Sequence, residues 1–157
     1  MKFITFASLF PEKKEFIVSA LKNKSEINLQ AAKVLKEEAL FPPSVHCSYY
    51  SVLQYMKYAV SEAIGVSYEL QDREINALKT QRASAKGTHE YLIMKVGDVI
   101  RDIDRLQFTD FTRKVSDLKK FRTKSDYDDV EVSAEQSNKA YGLASELRLQ
   151  LKNTFNV

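Results

Sequence analysis

The hydrophobic pattern of this chain predicts a series of amphipathic helices, and its strongest stretch is Ser44 to Ile64. Apolar residues recur there at alternating steps of four and three, which is the period of one helical face. They are Val45, Tyr49, Val52, Met56, Ala59 and Ala63. A second stripe gives the segment another apolar side; it contains Tyr50, Leu53, Val60 and Ile64. We therefore expect the central helix of an antiparallel bundle, with Ser44 as its N-cap and Gly65 at its left-handed end.

Two helices are predicted before this segment. Pro11 can start the first, and Asn23 to Ser25 predicts a break after it. The second is expected from about Glu26 to Leu40, with one apolar side. That side consists of Ile27, Ala31, Val34, Leu35 and Ala39. Residues 1–10 are too short to classify, since an extended segment and a docked arm both fit them.

After the central helix, residues 66–87 predict a marginal helix followed by a mobile loop. Thr88 is expected to cap the next helix, and Leu106 to Lys124 forms another, followed by a polar connector over residues 125–129. Ser133 and Gln136 match a capping box for the last helix. The expected buried stripes are Leu92, Val96, Val99, Ile100 and Ile103; Phe108, Phe111, Val115, Leu118 and Phe121; and Ala140, Tyr141, Ala144, Leu147 and Leu151.

These segments predict an all-α fold, an antiparallel helical bundle of four to five main helices plus short N-terminal elements. The chain has 157 residues, only four Gly and three Pro, which disfavours a turn-rich β-architecture. That length suits one domain with a real core. We expect a single domain over 1–157, with its core at about 26–152 and residues 66–87 as a possible mobile insert.

Composition favours a cytoplasmic protein. The one cysteine, Cys47, excludes an internal disulfide and suits a reducing compartment. The opening apolar stretch lacks the hydrophobic run and cleavage site of a signal peptide, and no apolar run reaches the ~20 residues that span a bilayer. The formal net charge of +3 is too mild to imply nucleic-acid binding by itself, so the local distribution of charge matters more.

The strongest local charge is a basic strip that precedes an acidic segment. Six basic residues and one acid fall between Arg113 and Lys124. The basic residues are Arg113, Lys114, Lys119, Lys120, Arg122 and Lys124. Such a strip can face the phosphates of RNA or of a nucleotide, but cations at the C-terminal end of a helix are also common as a solvated face that complements the helix dipole. On charge alone the second interpretation is favoured.

Three motifs in order resemble the HEPN domain (higher eukaryotes and prokaryotes nucleotide-binding), in its small single-domain prokaryotic branch. They are HCSYYSVLQYMKYAVSEAIG with its Tyr-Tyr pair, then KGTHEYLI, then LKKFRTKSDYDD before a capped helix. The resemblance covers about Asn28 to Lys152. It implies an antiparallel helical bundle, in agreement with the hydrophobic periodicity.

The resemblance also implies a function and a site. Many HEPN proteins are metal-independent ribonucleases, often toxins paired with an antitoxin, in which an Arg-x(4–6)-His motif acts across a dimer. Arg122 matches the arginine, but Tyr127, Asp128 and Asp129 stand where the histidine would be. Because a tyrosine titrates near pH 10, Tyr127 is a poor general base, although it can hydrogen-bond a phosphate. The expected binding residues are Arg122, Tyr127, Asp126, Lys119, Lys120 and Lys124.

The chain has two histidines, and neither forms a metal motif. His89 is expected at the start of a helix, where surface capping is a more common role than ligand binding. His46, in the first turn of the central helix, is expected to be packed or solvated. No zinc or di-iron spacing surrounds either residue, so we expect neither a metal nor a cofactor. Tyr49 and Tyr50 are expected to be core or interface aromatics.

Three functions remain open. The first is a non-catalytic HEPN-like protein that binds RNA or nucleotide, as a homodimer in a toxin–antitoxin or defence-type system. The second is a protein-binding partner of a minimal nucleotidyltransferase. The third is a metal-independent ribonuclease that uses a displaced histidine, with Arg122, Tyr127, His89 and His46 as the catalytic candidates.

Overall fold

The computed structural model describes residues 11–81 and 87–157 of the chain, and the side chains of residues 20–80 and 87–157. These residues form six helices and no strand. The helices are α1 (Pro11–Glu37), α2 (Phe41–Glu62), α3 (Tyr68–Gln81), α4 (Thr88–Ile103), α5 (Arg105–Tyr127) and α6 (Ala134–Phe155). The predicted all-α class is therefore confirmed. The expectations for residues 1–10 and for a loop at 82–86 lie outside the described residues.

The second helix lies at the centre of the bundle, as its two apolar stripes predict. It packs against α1, α4, α5 and α6. Most of both stripes is buried, namely Val45, Tyr49, Val52, Leu53, Met56, Ala59 and Val60. Tyr50 and Ile64 are partly buried, and Ala63 is exposed just past the end of the helix.

Helix α2 runs parallel to α6, since Ser44 contacts Ser137 and Tyr55 donates to the Val157 carbonyl, but antiparallel to two other helices. Ser44 contacts Ala32 and Ser25 contacts Ser51, so α1 is antiparallel to α2. Ser125 contacts Pro42, which makes α5 antiparallel to α2 as well. The C-terminal end of α5 therefore lies beside the N-terminal end of α2.

The start of α2 differs from the prediction. Pro42 and Pro43 lie inside the first turn, and Leu40 occupies the N-cap position without a side-chain cap. A proline is tolerated there because the first helical N–H groups have no partner within the helix. Ser44 is therefore not a cap: its hydroxyl is buried and donates to the Ala32 carbonyl at 2.7 Å. Gly65 does adopt the predicted left-handed conformation, with φ +79°.

The predicted break at Asn23 to Ser25 is wrong, because α1 continues from Pro11 to Glu37. Ser25 is fully buried and its hydroxyl donates to the Ser51 carbonyl at 2.6 Å. The polar side chain of Ser25 therefore joins α1 to α2 and does not mark a turn. The predicted buried side of α1 is also rotated, since Ile27 and Val34 are exposed while Ala32 is fully buried.

The last helices follow their predicted stripes except at Ile103, which is 63% exposed at the end of α4, and two helix ends differ from the prediction. Thr88 is the first residue of α4, and Gly87 occupies the N-cap position. Helix α5 continues to Tyr127, so residues 125–127 are helical rather than part of a connector. The capping box of Ser133 and Gln136 on α6 is confirmed.

The central face of the bundle collects the large buried side chains. Those that are almost fully enclosed include Met56, Tyr91, Leu92, Ile100, Phe111, Leu118, Leu147 and Leu151. They come from α2, α4, α5 and α6. Their packing holds these four helices in fixed positions relative to one another. Among the described residues, no helix combines the length and apolar character that crossing a membrane requires.

Candidate functional site

Three helix ends meet at one corner of the bundle and bring both histidines to Arg122. The first turns of α2 supply His46, Tyr49 and Tyr50, spaced so that they share one helical face. Helix α4 supplies His89 in its first turn, and the last turns of α5 supply Arg122, Asp126 and Tyr127. We call these seven residues the Arg122 cluster.

Arg122 lies within this cluster with its charge shielded from solvent. Its side chain is 15% exposed and its guanidinium carbon lies 5.8 Å from the ring centres of Tyr49 and Tyr50 and 5.2 Å from that of Tyr127. Cations are attracted to the faces of such rings. Nη2 donates to the hydroxyls of Tyr127 at 3.3 Å and Tyr50 at 3.4 Å. Three tyrosines thus hold the planar guanidinium in place.

The partner charge of Arg122 is Asp126, one turn further along α5. Arg122 Nε lies 2.7 Å from Asp126 Oδ2. The N–H bond does not point at that oxygen, and the buried Nε has no hydrogen-bond acceptor among the described residues. A buried donor without an acceptor costs free energy, so an acceptor from water or from a ligand would stabilise Nε. The pair is held by charge rather than by a well-directed hydrogen bond.

Arg122 remains charged at all physiological pH values. Its burial opposes the charged form, but Tyr50, Asp126 and Tyr127 outweigh that effect and raise the pKa of Arg122 above its usual range. A second positive contribution comes from the N-terminal ends of α2 and α4, whose helix dipoles favour negative charge nearby. The electrostatics of this corner therefore suit an anion.

His46 contacts the same carboxylate as Arg122. Its Nδ1 lies 3.2 Å from Asp126 Oδ2 and 3.3 Å from Oδ1. Its ring also packs on Tyr50, with ring centres 4.5 Å apart. The carboxylate accepts hydrogen bonds only, so it orients the imidazole with a proton on Nδ1.

His89 lies on the other side of the two tyrosines. Its Nδ1 is 3.1 Å from the Tyr49 hydroxyl, and its ring centre is 5.5 Å from that of Tyr49 and 6.0 Å from that of Tyr50. Burial lowers the pKa of His89 below its usual value of 6.5; Arg122 and Lys119 add to this effect and Glu90 opposes it. Burial also raises the pKa of Tyr49 to about 12. At neutral pH the pair is therefore a neutral imidazole bonded to a neutral phenol.

The structure places some of the predicted binding residues together and separates others. Arg122, Tyr127 and Asp126 are in contact, and the catalytic candidates His89 and His46 lie beside them. The predicted lysines are not in this cluster. All three line an open groove of about 1030 Å³ between α5 and α6, and Lys119 also pairs with Glu90 on α4.

The groove lacks the combination of side chains found in the Arg122 cluster. Its apolar lining includes Phe121 and Leu143, and its rim carries both lysines and carboxylates. Neither histidine lines it. The Arg122 cluster is the better candidate site because it combines a shielded cation with two imidazoles and three phenols.

Sequence reasoning favoured a core or interface role for Tyr49 and Tyr50, and a packed or solvated position for His46. The structure makes all three part of the cluster. The available signal was the spacing of His46, Tyr49 and Tyr50 on one helical face at a helix start. What the sequence does not show is that α5 ends beside this face. Among the described residues, no group of three His, Cys, Asp or Glu side chains is placed to hold a metal ion.

No protein-family model, curated protein or solved structure matches this chain significantly. The resemblance to HEPN proteins therefore stays a prediction from the sequence.

Proposed function

We propose that this chain is a HEPN-like protein that binds a phosphate group of RNA or of a nucleotide at the Arg122 cluster. The observation that supports this most directly is the environment of Arg122. Its guanidinium is 15% exposed, is held by three tyrosine rings, and has a buried Nε donor without an acceptor among the described side chains. A planar guanidinium presents two adjacent donors to a phosphate, which makes it the usual residue for such recognition.

The phosphate has to compete with Asp126 for the guanidinium. The existing contact is poorly directed, since Nε has no hydrogen-bond acceptor in the described part of the chain. A phosphate oxygen can offer the acceptor that Asp126 does not. The hydroxyls of Tyr50 and Tyr127, which already contact Nη2, add further donors at the same place.

The test is the affinity for a short single-stranded RNA, measured by fluorescence anisotropy. Arg122→Ala is expected to weaken binding by about 10- to 100-fold, because hydrogen bonds to charged groups contribute about 1.5–3 kcal/mol. The affinity of the wild-type protein is expected to fall linearly with salt on logarithmic axes, as phosphate contacts release counterions. Competition with ATP and with inorganic phosphate separates RNA from nucleotide as the ligand.

Arg113→Ala is the matched control. Arg113 lies on the same helix, two and a half turns before Arg122 and hence on the opposite face, where it pairs with Asp110 at 2.7 Å. Its loss removes the same charge but is expected to change the affinity little. Equal effects of the two substitutions, or unchanged affinity in Arg122→Ala, would contradict the proposal.

The biological setting belongs to the same proposal. The resemblance favours a homodimer in a toxin–antitoxin or defence-type system, in the cytoplasm. Size-exclusion chromatography with light scattering tests the dimer. The alternative, a non-catalytic partner of a minimal nucleotidyltransferase, rests on the resemblance alone. A protein that co-purifies with such an enzyme and shows no RNA affinity would favour that alternative.

A further inference from the structure

We propose that two copies of this chain associate through the outward face of α1, with the two helices antiparallel and a two-fold axis near Ala31. The HEPN resemblance implies a different dimer, in which motif residues such as Arg122 act across the interface. No residue of the Arg122 cluster belongs to α1. The proposed interface is therefore independent of the proposed ligand.

Helix α1 has two apolar sides, and the described residues of the same chain cover only one of them. Ser25 and Ala32 are fully buried and contact α2. On the opposite side Ile27 is 63% exposed, Val34 is 57% exposed, and Ala31 between them is partly buried. These three residues share one face because they lie four and three positions apart. We call them the α1 stripe; a helix that is apolar on two sides is typical of one with neighbours on both.

A charged residue stands at each end of the α1 stripe, and the two charges have opposite signs. Lys24 precedes the stripe and Glu38 follows it, each seven residues from Ala31 and hence about 10 Å along the helix. The Glu38 N–H donates to the Val34 carbonyl at 3.0 Å, so the helical path reaches Glu38. Both charged side chains are exposed, and neither has an ion-pair partner in the described part of the chain. Seven residues are close to two full turns, so both charges lie on the face of Ala31.

This order of side chains is complementary to itself when one copy is reversed. With the two Ala31 residues facing each other, Lys24 of each copy lies against Glu38 of the other. Ile27 then lies against Val34, and the two-fold axis repeats every contact. The small side chain of Ala31 at the crossing point lets the helices approach closely. A parallel pair would instead place lysine against lysine and glutamate against glutamate, which is repulsive.

The proposed contact is short, which determines the kind of dimer to expect. From Lys24 to Glu38, α1 supplies about 21 Å of helix. One helix pair of this length lies at the low end of the size range of specific interfaces, where association is transient. We therefore expect a dimer that dissociates on dilution.

Sedimentation velocity over a concentration series tests the interface. The wild-type protein is expected to shift from monomer to dimer as its concentration rises. Ile27→Lys is expected to raise the dissociation constant of the dimer by about 10-fold or more, because it places a charge in the apolar centre of the contact twice. Leu106→Lys is the matched control: Leu106 is 81% exposed on α5, outside the α1 stripe, and its substitution is expected to leave the constant unchanged.

Charge reversal tests the antiparallel orientation. Lys24→Glu is expected to raise the dissociation constant by about 10-fold, because each copy then repels Glu38 of the other. Adding Glu38→Lys to the same chain restores both attractions and is expected to return the constant to the wild-type value. In a parallel pair Lys24→Glu alone would change little, since like charges face each other before and after the substitution.

The outcomes separate this interface from the proposed function. A wild-type protein that stays monomeric at every concentration would overturn the interface, as would equal effects of Ile27→Lys and Leu106→Lys. The RNA affinity of the same variants is expected to match that of wild type. A dimer that depends on Ile27 in a protein without RNA affinity would support the interface and remove the proposed function, whereas RNA binding by a strictly monomeric protein would do the reverse. Circular dichroism confirms that the variants are folded.

Discussion

Asp126 determines the charge balance of the Arg122 cluster. Its carboxylate contacts two potential cations, the Arg122 guanidinium at 2.7 Å and the His46 imidazole at 3.2 Å, although its side chain is only 18% exposed. A phosphate that binds Arg122 brings a second anion to this place. The carboxylate then has His46 as its remaining partner within contact distance.

His89 makes the stability of the protein depend on pH. Its folded pKa lies below the usual 6.5, so the unfolded chain binds more protons in the range below that value. Stability is therefore lost as the pH falls through this range. We expect the thermal midpoint of the wild-type protein to drop between about pH 7 and pH 5.5, and to drop less in His89→Gln.

Thermal unfolding followed by circular dichroism at a series of pH values measures this effect. Carboxylates with lowered pKa values, such as Glu74 and Glu90, also make the fold less stable as the pH falls, but they do so at lower pH than His89. If the thermal midpoints of wild type and His89→Gln change equally between neutral pH and pH 5.5, the lowered pKa of His89 is contradicted.

At the scale of single residues, the sequence pointed to three members of the Arg122 cluster but not to their contacts with the other helices. Arg122, Tyr127 and Asp126 were found because they are close in sequence and match a family motif. Tyr50 lies 72 residues before Arg122, and His46 lies 80 residues before Asp126. Local patterns carry no information on such contacts, because these depend on which helix ends meet in the packed bundle.

At the scale of elements, the length of α5 decides whether the Arg122 cluster forms. The predicted connector over residues 125–129 would have placed Asp126 and Tyr127 on a loop. Instead the helix continues through Tyr127, and the Asp128 N–H donates to the Lys124 carbonyl. The polar composition of this turn favours a connector, but Ser125 donates to the Pro42 carbonyl and joins the turn to α2. Tertiary contact thus overrides local propensity.

The two helical glycines of α4 and α6 offer a test of helix packing. A methyl group at Gly142 meets no atom within 4 Å, so Gly142→Ala is expected to gain stability by about 1 kcal/mol from helix propensity alone. At Gly97 the same methyl lies 3.1 Å from Phe108 Cε2, where α4 packs on α5. Gly97→Ala is therefore expected to gain less or to destabilise.

Urea denaturation of the two variants measures the difference. Because both substitutions are glycine to alanine inside a helix, the propensity term cancels between them. An equal gain in both variants would show that the close approach of α4 to α5 at Gly97 carries no packing cost.

At the scale of the whole molecule, α2 connects the other helices of the bundle and was found from its two apolar stripes. Its neighbours α4, α5 and α6 were also predicted, since each presents one clear buried stripe. The largest error falls on α1, which was predicted to break and which joins the bundle partly through polar contacts. Ser25 accepts from Arg148 Nε at 3.0 Å, and Arg148 also pairs with Glu26 at 2.8 Å. Hydrophobic periodicity does not detect such contacts.

Two leucines on α6 test how strongly the core holds the bundle together. Leu147 is fully buried, whereas Leu149 is 59% exposed. Leu147→Ala is expected to destabilise the fold by about 2–5 kcal/mol, because it leaves a cavity in the core. Leu149→Ala is expected to change stability by no more than about 0.5 kcal/mol. Chemical denaturation measures both, and similar losses would contradict the described burial of α6.

The Arg122 cluster depends on the number of residues between Arg122 and Asp126, in the last turns of α5. Arg122 and Asp126 share a face because four residues bring the helix round by about one turn. One residue gained or lost between them rotates everything beyond by about 100° and carries Asp126 away from both the guanidinium and His46. An insertion or deletion inside this turn therefore separates all the contacts of Asp126 at once, whereas a substitution removes those of one side chain.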